Sequence, residues 1–472
     1  MLRELAEMVR DGRVSSSALV AESIARIGAS NAQLGAVVLL DEERALRTAA
    51  QIDLRRERGE QLGALAGLPM LVKDIEDVEG LRTTHGSLTR REAAPASQSG
   101  HVPARLMAAD AVVIGKTNTP EFSFEAYTSN RLFGDTRNPW SSDWSTGGSS
   151  GGSAAALAAG LAPLATATDG GGSIRIPAAL CGLVGLKPTV GVVPRSPIPA
   201  WIDLSTDGPM GTSVDDVELL LELISGPVPG DPNAVPLCAL RDAHTFGRPR
   251  LLAAPRTYDW GPLPADVQAC FDAALERLET CLGQVAEGLS PASLFPSGNP
   301  DTDWFILCGV EQAHQLGREF IESNADVLDP VFLGHMRFGL EQTTERYIAA
   351  RRARFVYTAE LDAMLGDDAI LVTPTLGITG FTPDGIAEGL TKPGTQPDAL
   401  NTVIQNITGH PAISLPAGRH ENGVPFGLQL TGPRFSDRWL LELARRWEHA
   451  NPWLLSAPGY KPYTPEGLGL NE

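Results

Sequence analysis

Two apolar stretches of this chain, Leu68 to Val72 and Ala111 to Gly115, lack the polar–apolar alternation of a half-wetted strand, and further strand candidates follow at "AILVTP", "AISLPAG" and "FGLQLTG". Short apolar runs bounded by turn residues fit strands covered on both faces, and such strands need helices on either side. Helical patterns do fall between them. Residues 15 to 29 place Val20, Ile24 and Ile27 on one face. In "PADVQACFDAALERLETCLG" one face carries Val267, Cys270, Phe271, Ala274, Leu275, Leu278 and Leu282, which makes Cys270 a core residue. Near the C-terminus Leu440, Leu443, Ala444 and Trp447 share another face. The sequence therefore predicts an α/β protein.

No low-complexity linker interrupts this alternation across 472 residues. Proline and glycine thicken at "GPVPGDPNAVP", 226 to 236, which fits a surface crossover inside one large domain better than a boundary. The expected organisation is a single domain: a helical region 1–64, a core 65–225, and a C-terminal half 226–472 that completes the sheet and a pocket. The 57 acidic residues against 38 basic ones give a net charge of −19, so nucleic acid and anionic membranes are excluded as partners of the surface as a whole. Cysteines 181, 238, 270, 281 and 308 show no CxxC pair and no nearby histidine, which predicts neither a disulfide framework nor a zinc site. The charged N-terminus and the lack of a membrane-length apolar run predict a cytosolic protein.

The stretch "WSTGGSSGGSAAALAAG", 144 to 160, resembles a flexible spacer, yet it runs straight into a small-residue helix suited to close packing. It contains no lysine, so it is not a phosphate-gripping Walker loop. It matches G-x-S-x-G, but the polar "RNPWSSDWST" before it is not the strand a nucleophile elbow requires. A second glycine run, "TATDGGGSIRIP", ends in Ser173. Glycines allow close backbone approach and expose N–H donors, and a serine beside them can attack a carbonyl if a proton acceptor is at hand. A buried lysine at a strand end serves as that acceptor once desolvation has made it neutral.

Three blocks, "GLPMLVKDIEDVEGLRTTHGS", "GGSSGGSAAALAAG" and "TDGGGSIRIPAALCGLVGLKPTVG", resemble in order and spacing the amidase signature family of Ser-Ser-Lys hydrolases. Weaker matches such as "GKTNTPEF", "DGPMGTSVDD" and "NITGHPAISLPAG" extend the resemblance over nearly the whole chain outside roughly 265 to 365. It implies a single α/β domain with a mixed, largely parallel central sheet between helical layers. It implies Ser173 as nucleophile, Ser149 as the bridge that passes its proton, and Lys73 as terminal base, with no metal or cofactor. The N–H groups of Gly170, Gly171 and Gly172, with that of Ser173, would form the oxyanion hole. The peptide bond before Ser149 is expected to be cis. Asp169 and Arg175 are expected to brace the loops, and none of histidines 85, 101, 244, 314, 335, 410, 420 and 449 is assigned chemistry.

The resemblance further implies hydrolysis of a small-molecule carboxamide to a carboxylate and an amine through an acyl-enzyme, with ester cleavage as a side activity. Expected pocket residues are Ser123, Phe124, Ala126, Tyr127 and Thr128 after "TNTPEF", with Trp201, Trp304, Phe305 and Cys308 from the variable half. Two alternatives stand beside it: the glutaminase component of a tRNA-dependent amidotransferase, and a silent binding protein on the same fold. Ile75 where the amidotransferase branch commonly has Asn, and a "TNTPEFSFEAYTSN" without that branch's Met-Asp-Glu-Phe pattern, favour a free-standing enzyme. Gly170, where the family often has Thr, Ser or Ile, keeps its N–H donor. A homodimer is the assembly expected from the prevalence of twofold symmetry.

Overall fold

Two main sheets, beside three two-stranded ones, carry the strands in the computed structural model, which describes residues 1–291, 294–387 and 400–470. The smaller contains β1 (Val37–Leu40), β2 (Pro69–Lys73), β3 (Val112–Thr117) and β4 (Leu164–Ala165), in the order β1-β3-β2-β4. Strand β2 runs parallel to β3 and β4, whereas β1 pairs antiparallel at the edge. Register sets Lys73 beside Thr117 and Val72 beside Lys116. Alternation along a strand therefore sends the two ammonium groups to opposite faces of the same sheet end.

Helices α1 (Leu2–Arg10), α2 (Ser16–Leu34) and α3 (Glu42–Glu57) form the N-terminal region, and α2 and α3 pack on β2 and β3. Helix α2 starts where Ser15 accepts a hydrogen bond from Ala18 N and continues past the expected end at 29. It stops at Gly35, whose φ of 60° is the left-handed cap that a glycine provides without a Cβ clash.

Helices α4 (Gly151–Ala158) and α5 (Arg175–Cys181) are buried along their whole length. The first packs on the small sheet, the second on the large one, and each touches the other. Only small residues permit this: a Cβ on Gly152 would lie 2.3 Å from Asn118 N. The glycine-serine stretch is thus the entrance to a central helix.

The large sheet comprises β5 (Val184–Lys187), β6 (Met210–Gly211), β7 (Arg250–Ala253), β8 (Glu287–Gly288), β9 (Ala369–Pro374), β10 (Ala412–Arg419) and β11 (Pro425–Thr431), ordered β6-β5-β10-β11-β9-β7-β8. It is mixed, as expected, but the balance differs. Among the described residues β7 pairs parallel with β8 and β9, and the remaining pairings of this sheet are antiparallel. The middle is antiparallel because β10 and β11 are joined by the tight turn His420–Val424, and so short a connection cannot bring two strands parallel.

Alternation along these strands separates two cores. Ile370, Val372, Ile413, Leu415, Leu428 and Leu430 share one with Phe271 and Leu278 of α6 (Ala265–Leu282). Leu252 and Leu371 share the other with α7 (Pro300–Leu316), α8 (Thr344–Leu365) and α9 (Val403–Thr408). Helix α10 (Asp437–Ala450) adds Leu440, Leu443 and Trp447 to the first. Residues 226–236 are tied to the body by Gly226 N to Val192 O, Val235 N to Gly191 O, and Arg195 N to the Asp231 carboxylate. The stretch is a crossover within one domain.

Candidate active site

Strand β2 delivers Lys73 into the interior, where its side chain is 0% exposed. Its Nζ donates to Ser149 Oγ at 2.7 Å and to Thr168 Oγ1 at 2.9 Å, and its backbone N–H donates to Thr166 Oγ1. Both side-chain partners are hydroxyls. Burial drives the ammonium down to about 7, against the carboxylates of Glu76, Asp207 and Asp169, which hold it up. Near neutral pH a large share of this lysine is therefore an uncharged amine.

Ser149 sits at the entrance to α4, and the Gly148–Ser149 peptide is cis. Gly148 is needed because a Cβ there would lie 2.8 Å from Tyr127 O. Ser150 N donates to Ser173 O at 3.3 Å, and Ser150 Oγ lies within 3.3 Å of both the O and the N of Thr168. These bonds sew the two glycine runs together. Ser149, Thr168, Gly170 and Ser173 consequently line one cavity of about 420 Å³. Ser173 retains 8% exposure and lines the cavity, whereas Lys73 has none and does not.

The loop 169–173 is held by a buried ion pair. Arg175 Nε and Nη2 donate to the two oxygens of Asp169 at 2.9 and 2.8 Å, and Arg175 also reaches Gln405, Asn406 and Gln429. The bracing expected of Asp169 and Arg175 is present. The same carboxylate corrects one expectation: Gly172 N donates to Asp169 Oδ1 at 2.7 Å. That N–H holds the loop rather than facing a substrate, and Gly170, Gly171 and Ser173 are left as candidate donors. Trp304 Nε1 donates to Gly170 O and Thr402 Oγ1 to Gly171 O, which turns those carbonyls away toward protein partners.

The pocket expectation needs a larger correction. Ser123 and Trp201 line the cavity, whereas Phe124, Ala126, Tyr127, Thr128, Trp304, Phe305 and Cys308 do not. Phe124 and Trp304 each pack edge-on against Trp201, Tyr127 packs near Phe381, and Thr128 Oγ1 donates to Gly147 O. Cys308 is sealed in the second core. Phe122 and Ser123 have φ of 48° and 59°, a left-handed pair that breaks the side-chain alternation just before these residues. The apolar wall is instead Phe122 with Pro197, Ile198, Pro199, Ala200 and Trp201.

Sequence reasoning missed three polar residues beside Lys73: Thr168, Glu76 and Asp207. Thr168 stands in the same run as Ser173, and Glu76 follows Lys73 by three positions. Both carboxyls line the cavity, and burial raises each above the ordinary carboxylate range, with Asp207 pushing Glu76 further. Glu76 also accepts a hydrogen bond from Thr166 Oγ1. Of the histidines, His85 and His101 line the cavity; His85 stacks on Phe122, and His101 Nε2 lies 3.0 Å from Ile224 O.

A lysine hydrogen-bonded to one serine, in a cavity that a second, glycine-flanked serine also lines, accords with comparison to known proteins. The amidase family profile matches residues 18–441. This chain belongs to the amidase signature family. It is similar to an acylamidase of Rhodococcus erythropolis, 32% identical with 96% of each chain covered. It is likewise similar to a glutamyl-tRNA(Gln) amidotransferase chain of Synechococcus sp. (strain CC9605), 33% identical with 96% of each covered. Among solved structures, a bacterial aryl acylamidase of the amidase signature family superposes with a TM-score of 0.86 at 26% identity, over 98% of this chain and 96% of that one. The chain is accordingly an amide hydrolase acting on carbon–nitrogen bonds. Among the described residues of this amidase no helix is long and apolar enough to cross a membrane.

Proposed function

We propose that this amidase is a free-standing enzyme that cleaves a small carboxamide through an acyl-enzyme on Ser173. The observation that carries this reading is the 2.7 Å contact between Lys73 Nζ and Ser149 Oγ, in a cavity also lined by Ser173. When Lys73 is neutral, the same contact lets Nζ accept the Ser149 proton while Ser149 takes that of Ser173. The Ser173 oxygen attacks the amide carbon, and the developing oxyanion meets the N–H groups of Gly170, Gly171 and Ser173. Run in reverse, the relay protonates the departing amine; water then hydrolyses the ester by the same route. The apolar wall from Phe122 to Trp201 and a volume of about 420 Å³ suit a medium-sized aliphatic or aryl group.

Ser173→Ala should abolish both turnover and labelling by a fluorophosphonate probe; comparable turnover in that variant would overturn the assignment. The similarity to the glutamyl-tRNA(Gln) amidotransferase chain favours a second reading, a glutaminase that works with partner chains. Purified alone, the free-standing enzyme should hydrolyse members of an aliphatic and aryl amide panel faster than glutamine. The reverse preference would support the second reading.

A further inference from the structure

Away from the cavity, α6 and the β10–β11 turn bring together a cysteine, a histidine and a carboxylate. Asp266 and Cys270 are one helical turn apart in α6 and so share a face. His420 opens the turn, its N–H bonded to Val424 O at 2.9 Å and its ring set edge-on to Phe426. Cys270 Sγ lies 3.6 Å from Asp266 Oδ1 and 3.8 Å from His420 Nδ1, and His420 Nδ1 lies 3.5 Å from Asp266 Oδ2. Cys270 Sγ also reaches Arg419 O at 3.6 Å, and Glu421 N donates to Asp266 Oδ2 at 3.1 Å.

Cys270 meets one carboxylate oxygen of Asp266 and His420 the other, and the sulfur, the ring nitrogen and a single carboxylate oxygen all lie within 4.8 Å of one another. Zinc sits about 2.3 Å from sulfur and about 2.0–2.1 Å from nitrogen or carboxylate oxygen, so tetrahedral ligand pairs lie about 3.3–3.6 Å apart. Rotation of the Asp266 carboxylate and a contraction of at most about 1.5 Å bring one oxygen, the sulfur and the nitrogen onto an ion. The His420 side chain is 2% exposed and that of Asp266 23%, so the cluster opens to solvent on the aspartate side, where a bound ion would take water as its fourth ligand. A thiolate, an imidazole and a single carboxylate suit zinc or cobalt rather than magnesium or calcium. None of the three residues lines the hydrolytic cavity.

We propose that Asp266, Cys270 and His420 form a site for a divalent cation of the zinc class, which clamps the first turn of α6 to the β10–β11 turn. Binding converts the Cys270 thiol to a metal-bound thiolate and releases its proton to solvent. The pairing of Cys270 with a histidine 150 positions away is invisible to a search for local ligand spacing.

The test is titration of the metal-free, full-length protein with cobalt(II). One cobalt per chain should give four-coordinate visible bands and a thiolate-to-cobalt charge-transfer band, both displaced by zinc, and should raise the melting temperature. Cys270→Ser should lose the charge-transfer band, while Cys238→Ser, at an exposed cysteine, keeps it. Asp266→Asn should bind cobalt roughly tenfold more weakly or worse, and it carries the test if the Cys270 variant fails to fold. Absence of the band in the parent protein, its persistence in Cys270→Ser, or undiminished affinity in Asp266→Asn overturns the proposal.

Discussion

Replacing Lys73 by methionine should kill the enzyme and stabilise the fold, by an amount that depends on pH. Methionine fills the same buried slot without a charge. The lysine falls from its ordinary 10.5 to about 7 on folding because burial disfavours the ammonium. That fall is a folding cost of roughly 5 kcal/mol at any pH below about 7. Methionine forfeits the two hydrogen bonds from Nζ to Ser149 and Thr168, together about 2 kcal/mol; both hydroxyls line the cavity, where water can replace the lost partner. The net gain is then about 3 kcal/mol in acid. Between pH 7 and 10.5 the unfolded lysine holds a proton that the folded one has released, so the parent gains stability as pH rises, by about 1.4 kcal/mol per unit. The two curves should cross near pH 9, by about the same arithmetic. Guanidinium unfolding midpoints of both proteins across about pH 6 to 9 measure this directly. A variant less stable than the parent in acid, or a difference that does not change with pH, would refute the assignment of Lys73 as a buried amine of lowered proton affinity.

The same titration governs catalysis: kcat/KM should fall about tenfold per unit below pH 7 as Lys73 takes up its proton, and a profile flat from about pH 5 to 7 would contradict the relay. Glu76, which burial and Asp207 lift to about 8, is protonated across that limb, so Glu76→Gln should leave the limb in place with the fold retained, since the amide oxygen can still accept from Thr166; a limb moved to lower pH would show that Glu76 is charged beside Lys73. Gly171→Ala would place a Cβ 2.4 Å from the Trp304 ring and should cost about 1–3 kcal/mol in the unfolding midpoint along with most activity. Asp169→Asn leaves a fully buried guanidinium without its counter-charge and should destabilise by about 3–5 kcal/mol, seen as a lowered denaturation midpoint or loss of soluble protein.

How far a sequence exposes such a molecule depends on whether the deciding contact is local. "AILVTP" coincides with β9, and "PADVQACFDAALERLETCLG" gives α6 to within a residue at each end, because Pro264 and Gly283 punctuate it and a 3.6-residue period fills it. The pairing of Lys73 with the two serines was accessible through the resemblance of three sequence blocks to a known family, in which the glycine runs mark where backbones approach closely. The parallel-to-antiparallel balance of the large sheet was not, since strand pairing is chosen between segments far apart in sequence. The cavity wall at 197–201 has no period to detect, and Phe124 and Tyr127 look like wall residues only until the left-handed turn at Phe122 and Ser123 is seen. The engagement of Gly172 N–H by Asp169 likewise depends on loop geometry that glycines leave open by their nature.

Three buried lysines among the described residues show why geometry, and not burial, singles out the proposed base. Lys73, Lys116 and Lys187 are each 0% exposed. Lys116 lies 3.1 Å from the Asp74 carboxylate and donates to Thr83, so its charge is answered by a counter-charge. Lys187 is driven down to about 7 by burial, as Lys73 is, yet its Nζ donates to Pro188 O, a carbonyl with no proton to return. Of these three described lysines, Lys73 combines a lowered proton affinity with hydroxyl partners. A hydroxyl can reverse its role from acceptor to donor without moving, and that reversal is what a proton relay requires at each turnover. Were lowered affinity alone the mark of a base, Lys187 would be an equal candidate; the identity of the atom at the other end of the hydrogen bond excludes it.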